Sequence, residues 1–479
     1  MMKFLKKYWL LIILFIISFF VFSFKLPSST SFEGDLGRDL FEIGKISFGN
    51  FTLLGPKGSF GGIYTAPYHY YLFLLPFVNS GRQLNGVLFF NVFLFTLSLV
   101  FFSFRMAKKF GKLTGFLSGL TMMLLPFYIF SARNPGNGFT PVAFFVFFLT
   151  FIYFYDLNKF NWLKISLLGL FLGIIISSLF VYAIILIPIL LFVFLLLKNK
   201  KMFLFFLVGI FFAFSPLILF EFKNHFIMLK NTFVDKSYLS FVNNTNLPNG
   251  VKLNKNIFVN SLDLINKMQP YFGINLYLTV FFLLASLLWI KKIRERSLIL
   301  ITALSFVILS FLLRFQYSSH YLLPALTLLS FCLLTVIAGN KYKIIIFIAL
   351  VLLLVMSFPK SYYSIAQRNY LLVKSRVEKT LSKQLINKND KFNIILKRSD
   401  DAPTPAGNEY RFFFLINGYE PQSDFLYKNS EKLFVFSEEK TIDLKSFNTW
   451  EMSEFDYSKV KKTEVFLPDQ KMFVYFLSK

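Results

Sequence analysis

The sequence is poor in the residues that usually carry metal and redox chemistry. Its 479 residues include one cysteine and three histidines, with 25 acidic residues against 51 basic ones. A single cysteine, Cys332, excludes an intrachain disulfide and a thiolate metal cluster, and leaves the redox compartment undetermined. It sits inside an apolar run, where a lone cysteine is most often a small hydrophobe. His69, His225 and His320 share no loop and lack the His-Glu-x-x-His spacing. The sequence therefore requires no cofactor, and a divalent cation stays open. Small residues of a cleavage site are missing too: Phe24-Lys25-Leu26-Pro27 follows the apolar stretch from Tyr8 to Phe24. The expectation is an uncleaved first helix, not a removed signal peptide.

What the chain has in excess is apolar and aromatic surface. Hydrophobic residues make up 56% and aromatic ones 20%, with a mean hydropathy of +0.59. Soluble domains do not string apolar residues into repeated runs of about 18 or more. A large soluble helical core would need polar helix faces, and most of these runs have none. The fold class expected is an α-helical polytopic membrane protein. Spans fall near 8–24, 82–104, 112–130, 138–156, 163–180, 182–197, 201–220, 272–290, 296–313, 320–338 and 343–358, about eleven in all.

The net charge of +26 does not form a nucleic-acid stripe, because the cations sit in short clusters between apolar runs. Lys3, Lys6 and Lys7 place the N-terminus in the cytoplasm, and alternation then puts 105–112, 157–162, 198–201, 291–296 and 339–343 on the same side. These are the connections rich in Lys and Arg, as the positive-inside bias requires. An odd number of crossings leaves the C-terminus outside, with external loops 25–81 and 221–271. The segment Tyr64 to Val78 is short and interrupted by Pro67 and Pro76, so it is expected at the interface or re-entrant. Two domains are expected: 1–359 in the membrane and 360–479 outside it. The latter reads as a small α/β domain with a helix near 361–386 and strands at Phe392–Lys397, Tyr410–Ile416, Leu433–Ser437, Lys462–Leu467 and Met472–Leu477.

The candidate chemistry lies at the outer rim. Asp35, Arg38 and Asp39 follow the first span, and on a helix they share a face. The bland alternative is a solvated capping cluster. Glu33, just before them, has no specific role. The same loop holds Leu53-Leu54-Gly55-Pro56-Lys57, Phe60-Gly61-Gly62 and Ala66-Pro67-Tyr68-His69-Tyr70-Tyr71-Leu72. Arg133-Asn134-Pro135, then Glu221-Phe222-Lys223-Asn224-His225, then Arg314 and Ser319-His320-Tyr321 fall in later external loops. Glu221 and His225 read either as a helix-end polar pair or as a cavity wall. Arg314 in an external loop is not explained by the positive-inside bias, which leaves a phosphate-facing role open.

In their order and spacing, these motifs over roughly the first 340 residues resemble the lipid-linked-sugar glycosyltransferases of the large multi-span (GT-C) fold. The likeness is to the family 39-like branch of protein O-mannosyltransferases and aminoarabinose transferases. The resemblance implies a polyprenyl-phosphate sugar donor, an acceptor outside the cytoplasm, contact with membrane lipids and no nucleic acid. It makes Asp35 the residue that assists the acceptor, with Asp39 a second catalytic candidate. A carboxylate can take the proton of an attacking hydroxyl while the leaving phosphate is met by cations. Arg38 is the nearest candidate for that contact, and Lys57, Arg133, Glu221, Lys223, His225, Arg314 and His320 are the further substrate-binding candidates. Thr65 and Ala66 stand where some relatives carry Lys before the Pro, which leaves Lys57 as the substitute. The expected activity is inverting transfer of a sugar to an external lipid, polysaccharide or protein. The rival reading is a lipid-carrier flippase or other transporter, which predicts ionisable residues deep in the spans. A mere anchor for the tail does not need so many spans.

Overall fold

The computed structural model describes residues 2–58, 62–235, 257–312, 319–399, 406–423, 426–439, 442–444 and 449–479. Most of the apolar runs fold as helices, the form in which a backbone away from water satisfies its own hydrogen bonds. The chain divides into two compact units. One comprises Met1–Phe24, Thr52–Leu72 and Leu88–Tyr362; the other Lys25–Phe51, Phe73–Val87 and Tyr363–Lys479.

The first unit is helical. By length and composition, Leu84–Phe110 and His320–Ala338 can each cross a membrane alone. Among the described residues the number rises to five if each of three bent pairs is one span: Lys112–Leu124 with Pro126–Arg133 (69°), Lys201–Ala213 with Ser215–Lys223 (52°), and Leu262–Phe272 with Leu276–Ser286 (105°). Two of the bends coincide with Pro126 and Pro216 at the start of the second helix, where the ring cannot continue the preceding hydrogen-bond ladder. Other expected spans are shorter apolar helices, among them Tyr8–Ser23, Pro141–Phe154, Trp162–Ser178, Leu186–Leu196 and Lys343–Met356.

Helices Trp162–Ser178 and Lys201–Ala213 are packed backbone to backbone. A Cβ on Gly169 would lie 2.0 Å from the Phe206 carbonyl oxygen, and one on Gly209 would lie 1.9 Å from that of Ser166. A Cβ on Gly173, four residues after Gly169, would lie 2.5 Å from the Ala213 Cβ and 2.8 Å from the Ile210 carbonyl oxygen. Small residues at this spacing let apolar helices approach closely enough to gain dispersion energy that lipid cannot match.

The second unit contains a four-stranded sheet of order β1-β2-β4-β3, with β1 Phe392–Lys397, β2 Lys432–Ser437, β3 Lys462–Asp469 and β4 Met472–Ser478. β1 and β2 are parallel, and the other pairs are antiparallel. A parallel pair needs a crossover, and helix Asn408–Ile416 lies in it. The sequence predicts a strand over Tyr410–Ile416, and the structure corrects this. A fully buried run of aromatic residues has no period that separates strand from helix. Here Gly407, at φ 58°, opens a helix whose residues Glu409 to Leu415 are all buried. The helix expected near 361–386 is confined to Tyr370–Leu381, capped by the Asn369 side chain.

The first polar loop contributes to this unit. Helix Gly34–Ser47 packs on helix Asn408–Ile416 along a glycine seam. A Cβ on Gly37 would lie 2.6 Å from the Glu409 nitrogen, and one on Gly44 would lie 3.0 Å from the Leu415 side chain. Phe32 is enclosed by Tyr370, Phe412 and Phe413, and Ser31 bridges to Asn369.

Candidate functional site

The sequence-predicted residues fall into two groups, one in each unit. In the second unit, Asp35, Arg38 and Asp39 all lie on the first turns of helix Gly34–Ser47. Acidic residues at a helix start are favoured by the unpaired amides and the positive end of the helix dipole. Arg38 bridges the two carboxylates: its Nη1 donates to Asp35 Oδ1 at 2.8 Å, and its Nε and Nη2 donate to Asp39 Oδ1 at 3.0 and 2.8 Å. Their settings differ sharply. The Asp35 side chain is 72% exposed, whereas that of Asp39 is 1% exposed. The buried carboxylate thus fixes the guanidinium, and the guanidinium in turn steadies the exposed carboxylate. Chemically, the cluster presents one oriented carboxylate to solvent with a cation beside it.

Beneath the start of that helix lies an ionic network the sequence does not reveal. Glu33 accepts from Arg398 at 2.7 Å and from Arg368 at 3.4 Å, and Arg368 also grips Glu438 through two 2.5 Å hydrogen bonds. Burial raises the Glu438 pKa, but the hydrogen bonds from Arg368 and Ser399 and the charge of Arg368 together outweigh it and hold the group at about 2. Glu409, in the first turn of the helix on which Gly37 rests, is buried and its Oε1 has no hydrogen-bond partner. Burial pushes its pKa up to about 7, against the pull of Arg398 and Arg368 and with the help of Glu33. Glu33 and its partners are hundreds of positions apart in sequence. No local pattern links them; only the acidic cluster at the helix start is legible.

In the first unit, the loop motifs fold onto each other. Gly55 donates to the Thr65 carbonyl at 2.8 Å, Thr65 to the Pro56 carbonyl at 3.0 Å, and Lys57 lies opposite Tyr64 on an antiparallel bridge. A Cβ on Gly55 would meet the Ala66 carbonyl at 2.1 Å, which is why glycine is needed there. Ala66 donates to the Ser177 carbonyl, and the Tyr68 hydroxyl to that of Ala213, tying this hairpin to the glycine-packed helix pair. Lys57 is exposed.

Other candidates in this unit have structural partners. Arg133 is buried, and its Nη1 donates to the carbonyls of Phe22 and Phe24 at 2.8 and 3.0 Å, closing the end of the first helix. Glu221 is buried and accepts from the amides of Met228 and Leu229, both at 3.0 Å, which caps helix Ile227–Phe233. Lys223 and His225 are exposed, the latter at φ 54°. His320 packs edge-on against Phe139 and close to Gly138. Arg314 lies outside the described residues.

No protein-family profile matches the chain, and neither does any curated protein. Solved structures do. ArnT of Cupriavidus metallidurans, bound to undecaprenyl phosphate, aligns over 97% of this chain and 97% of its own at 12% identity and a TM-score of 0.59. Its apo form gives 0.60. An Archaeoglobus fulgidus oligosaccharyltransferase tethered with an acceptor peptide aligns over 91% of this chain and 70% of its own, at 12% identity and a TM-score of 0.51. The chain has the GT-C fold. At this identity the likeness is one of fold. The alignment to ArnT runs over nearly the whole of both chains.

Proposed function

We propose that the protein is an inverting glycosyltransferase that moves a sugar from a polyprenyl-phosphate carrier to an acceptor outside the cytoplasm. The observation that carries this reading is the match over 97% of both chains to a structure bound to undecaprenyl phosphate. The helix-start carboxylate on the first polar loop supports it. Asp35 is the general base. It takes the proton of the acceptor hydroxyl as that oxygen attacks the anomeric carbon, while the carbon–oxygen bond to the phosphate breaks and its electron pair leaves with the lipid phosphate. One base and a direct displacement give inversion. Asp39 holds Arg38, and Arg38 orients Asp35 and lies within reach of negative charge that develops beside it. The exposed Lys57 and Lys223 are retained as cations for an anionic donor.

In this reading the protein sits in the cytoplasmic membrane with about eleven crossings, counting the short and bent helices as spans. The N-terminus is cytoplasmic, and residues 360–479 form an extracytoplasmic domain. The placement of Lys and Arg between the apolar runs supports this orientation.

The test is mass analysis of envelope glycans and lipids from cells with the wild-type protein, without it, and with Asp35→Asn. A sugar-sized mass missing both in the deletion and in the Asp35→Asn strain is the expected result. Identical profiles in all three would remove the reading.

A further inference from the structure

The connection from Arg105 to Lys112 holds more cations than the protein interior uses. Arg105 donates to the Phe154 carbonyl at 3.0 Å and stacks over the Tyr155 ring at 4.1 Å. Lys109 donates to the Tyr153 hydroxyl at 3.3 Å and pairs with Glu295 at 3.7 Å. Lys108 and Lys112 are exposed and have no carboxylate partner among the described residues. Lys108 lies over the Phe104 ring at 4.5 Å.

These two lysines border a hollow of about 210 Å³, together with Tyr8, Trp9, Leu11 and Phe104. Tyr8, Leu11 and Phe104 also line an adjoining groove of about 630 Å³, whose other walls include Phe15, Leu97 and Phe147. The groove runs between helix Met2–Ser23 and helix Leu84–Phe110. Its volume falls within the roughly 300–1,000 Å³ of pockets that take small organic ligands. It is walled almost entirely by hydrocarbon, and its continuation ends at two cations. A neutral apolar occupant would leave the lysines unused, and a soluble anion would leave the groove empty. A zwitterionic headgroup would bring its own cation against them.

We infer that this trough is a binding site for an anionic glycerophospholipid, with an acyl chain in the groove and the phosphodiester at Lys108 and Lys112. The site goes beyond sugar transfer and rests only on the membrane-embedded reading. Basic residues at a bilayer surface attract anionic lipid, and the apolar groove adds a fixed seat for the chain.

Trp9, 51% exposed and bordering the hollow, is a built-in reporter. The full-length protein is reconstituted in phosphatidylcholine vesicles with Trp162, Trp289 and Trp450 replaced by Phe. Either phosphatidylglycerol or phosphatidylcholine carrying brominated acyl chains is then added in matched amounts. Brominated phosphatidylglycerol should quench Trp9 at mole fractions at least about fivefold lower, the factor expected from a single basic residue near the surface. Lys108→Gln with Lys112→Gln should bring the two curves together. Native mass spectrometry of the otherwise unaltered protein gives a second readout: phosphatidylglycerol retained by the wild type and lost by the double variant. Coincident curves in the wild type, or a preference that survives the double substitution, would overturn the site. Displacement of the brominated lipid by unlabelled polyprenyl phosphate but not by unlabelled phosphatidylglycerol would also overturn it, and would assign the trough to the carrier. Absence of quenching by either brominated lipid would sink the site together with the membrane reading that the proposed function shares, whereas coincident curves or a surviving preference would overturn the site and leave sugar transfer untouched.

Discussion

Asp35 and Asp39 share one guanidinium but not one environment, and the difference divides their work. A residue that must meet an acceptor has to be reachable, and only Asp35 is. Losing Arg38 would leave the Asp39 carboxylate buried without that cation, at a cost of about 3–5 kcal/mol for a broken buried pair. Arg38→Ala should therefore lower stability as well as turnover, whereas Asp35→Asn should spare stability; thermal unfolding of the two variants checks the contrast. Sequence spacing was enough to put the three side chains on one helix face. It could not separate exposed from buried, because burial is set by tertiary packing, which helical spacing does not encode.

Glu409 gives a pH prediction. Its pKa is pushed from the ordinary 4.5 to about 7 in the folded state by burial. A group with a raised folded-state pKa contributes stability that is fully present below its unfolded value and lost as pH rises through the folded one. Stability should fall between about pH 4.5 and 7 and level off above, by roughly 3 kcal/mol at most for this group. Glu409→Gln, which cannot ionise, should flatten that part of the curve. Unfolding temperatures across this range compare the two proteins, and an unchanged slope would remove Glu409 as its source.

At the scale of elements, the apolar runs were legible as helices because their length and flanking cations leave few alternatives. All four strands were legible from their own chemistry and punctuation. Helix Asn408–Ile416 was not, because burial on every side erases periodicity. The seam between helices Trp162–Ser178 and Lys201–Ala213 was visible in principle as Gly169 and Gly173, but spacing alone does not name a partner. Gly169→Leu should separate this pair, because even the first added carbon meets the Phe206 carbonyl. An overpacking cost of about 1–3 kcal/mol is expected, read as a lower unfolding temperature. An unshifted unfolding temperature would mean that the helices are not held by this contact.

At the scale of the whole molecule, the sequence supplied the helical class and the structure supplied the division of the first loop. Residues 25–51 belong with the C-terminal sheet, while 52–72 belong with the helices. No composition change marks that division, since it rests on contacts such as Phe32 with Phe412 and Gly37 with Glu409. The orientation proposed above is checked by accessibility of single introduced cysteines. Positions 50 and 420 should label from the outer face and position 294 from the inner one; inner labelling at 420 would mean that the crossings are miscounted.

The central claim is that a sugar leaves a polyprenyl phosphate with the help of Asp35. The most direct measurement supplies purified protein with a labelled polyprenyl-phosphate sugar and an envelope extract as the source of acceptor. Release of the free lipid phosphate is followed together with label in the acceptor. Wild-type protein should produce both, and Asp35→Asn should slow both by roughly 10²–10⁴-fold, the usual contribution of a positioned base, with donor binding little changed. Donor consumed at the wild-type rate by Asp35→Asn, or wild-type protein that neither binds nor consumes any such donor, would contradict the account.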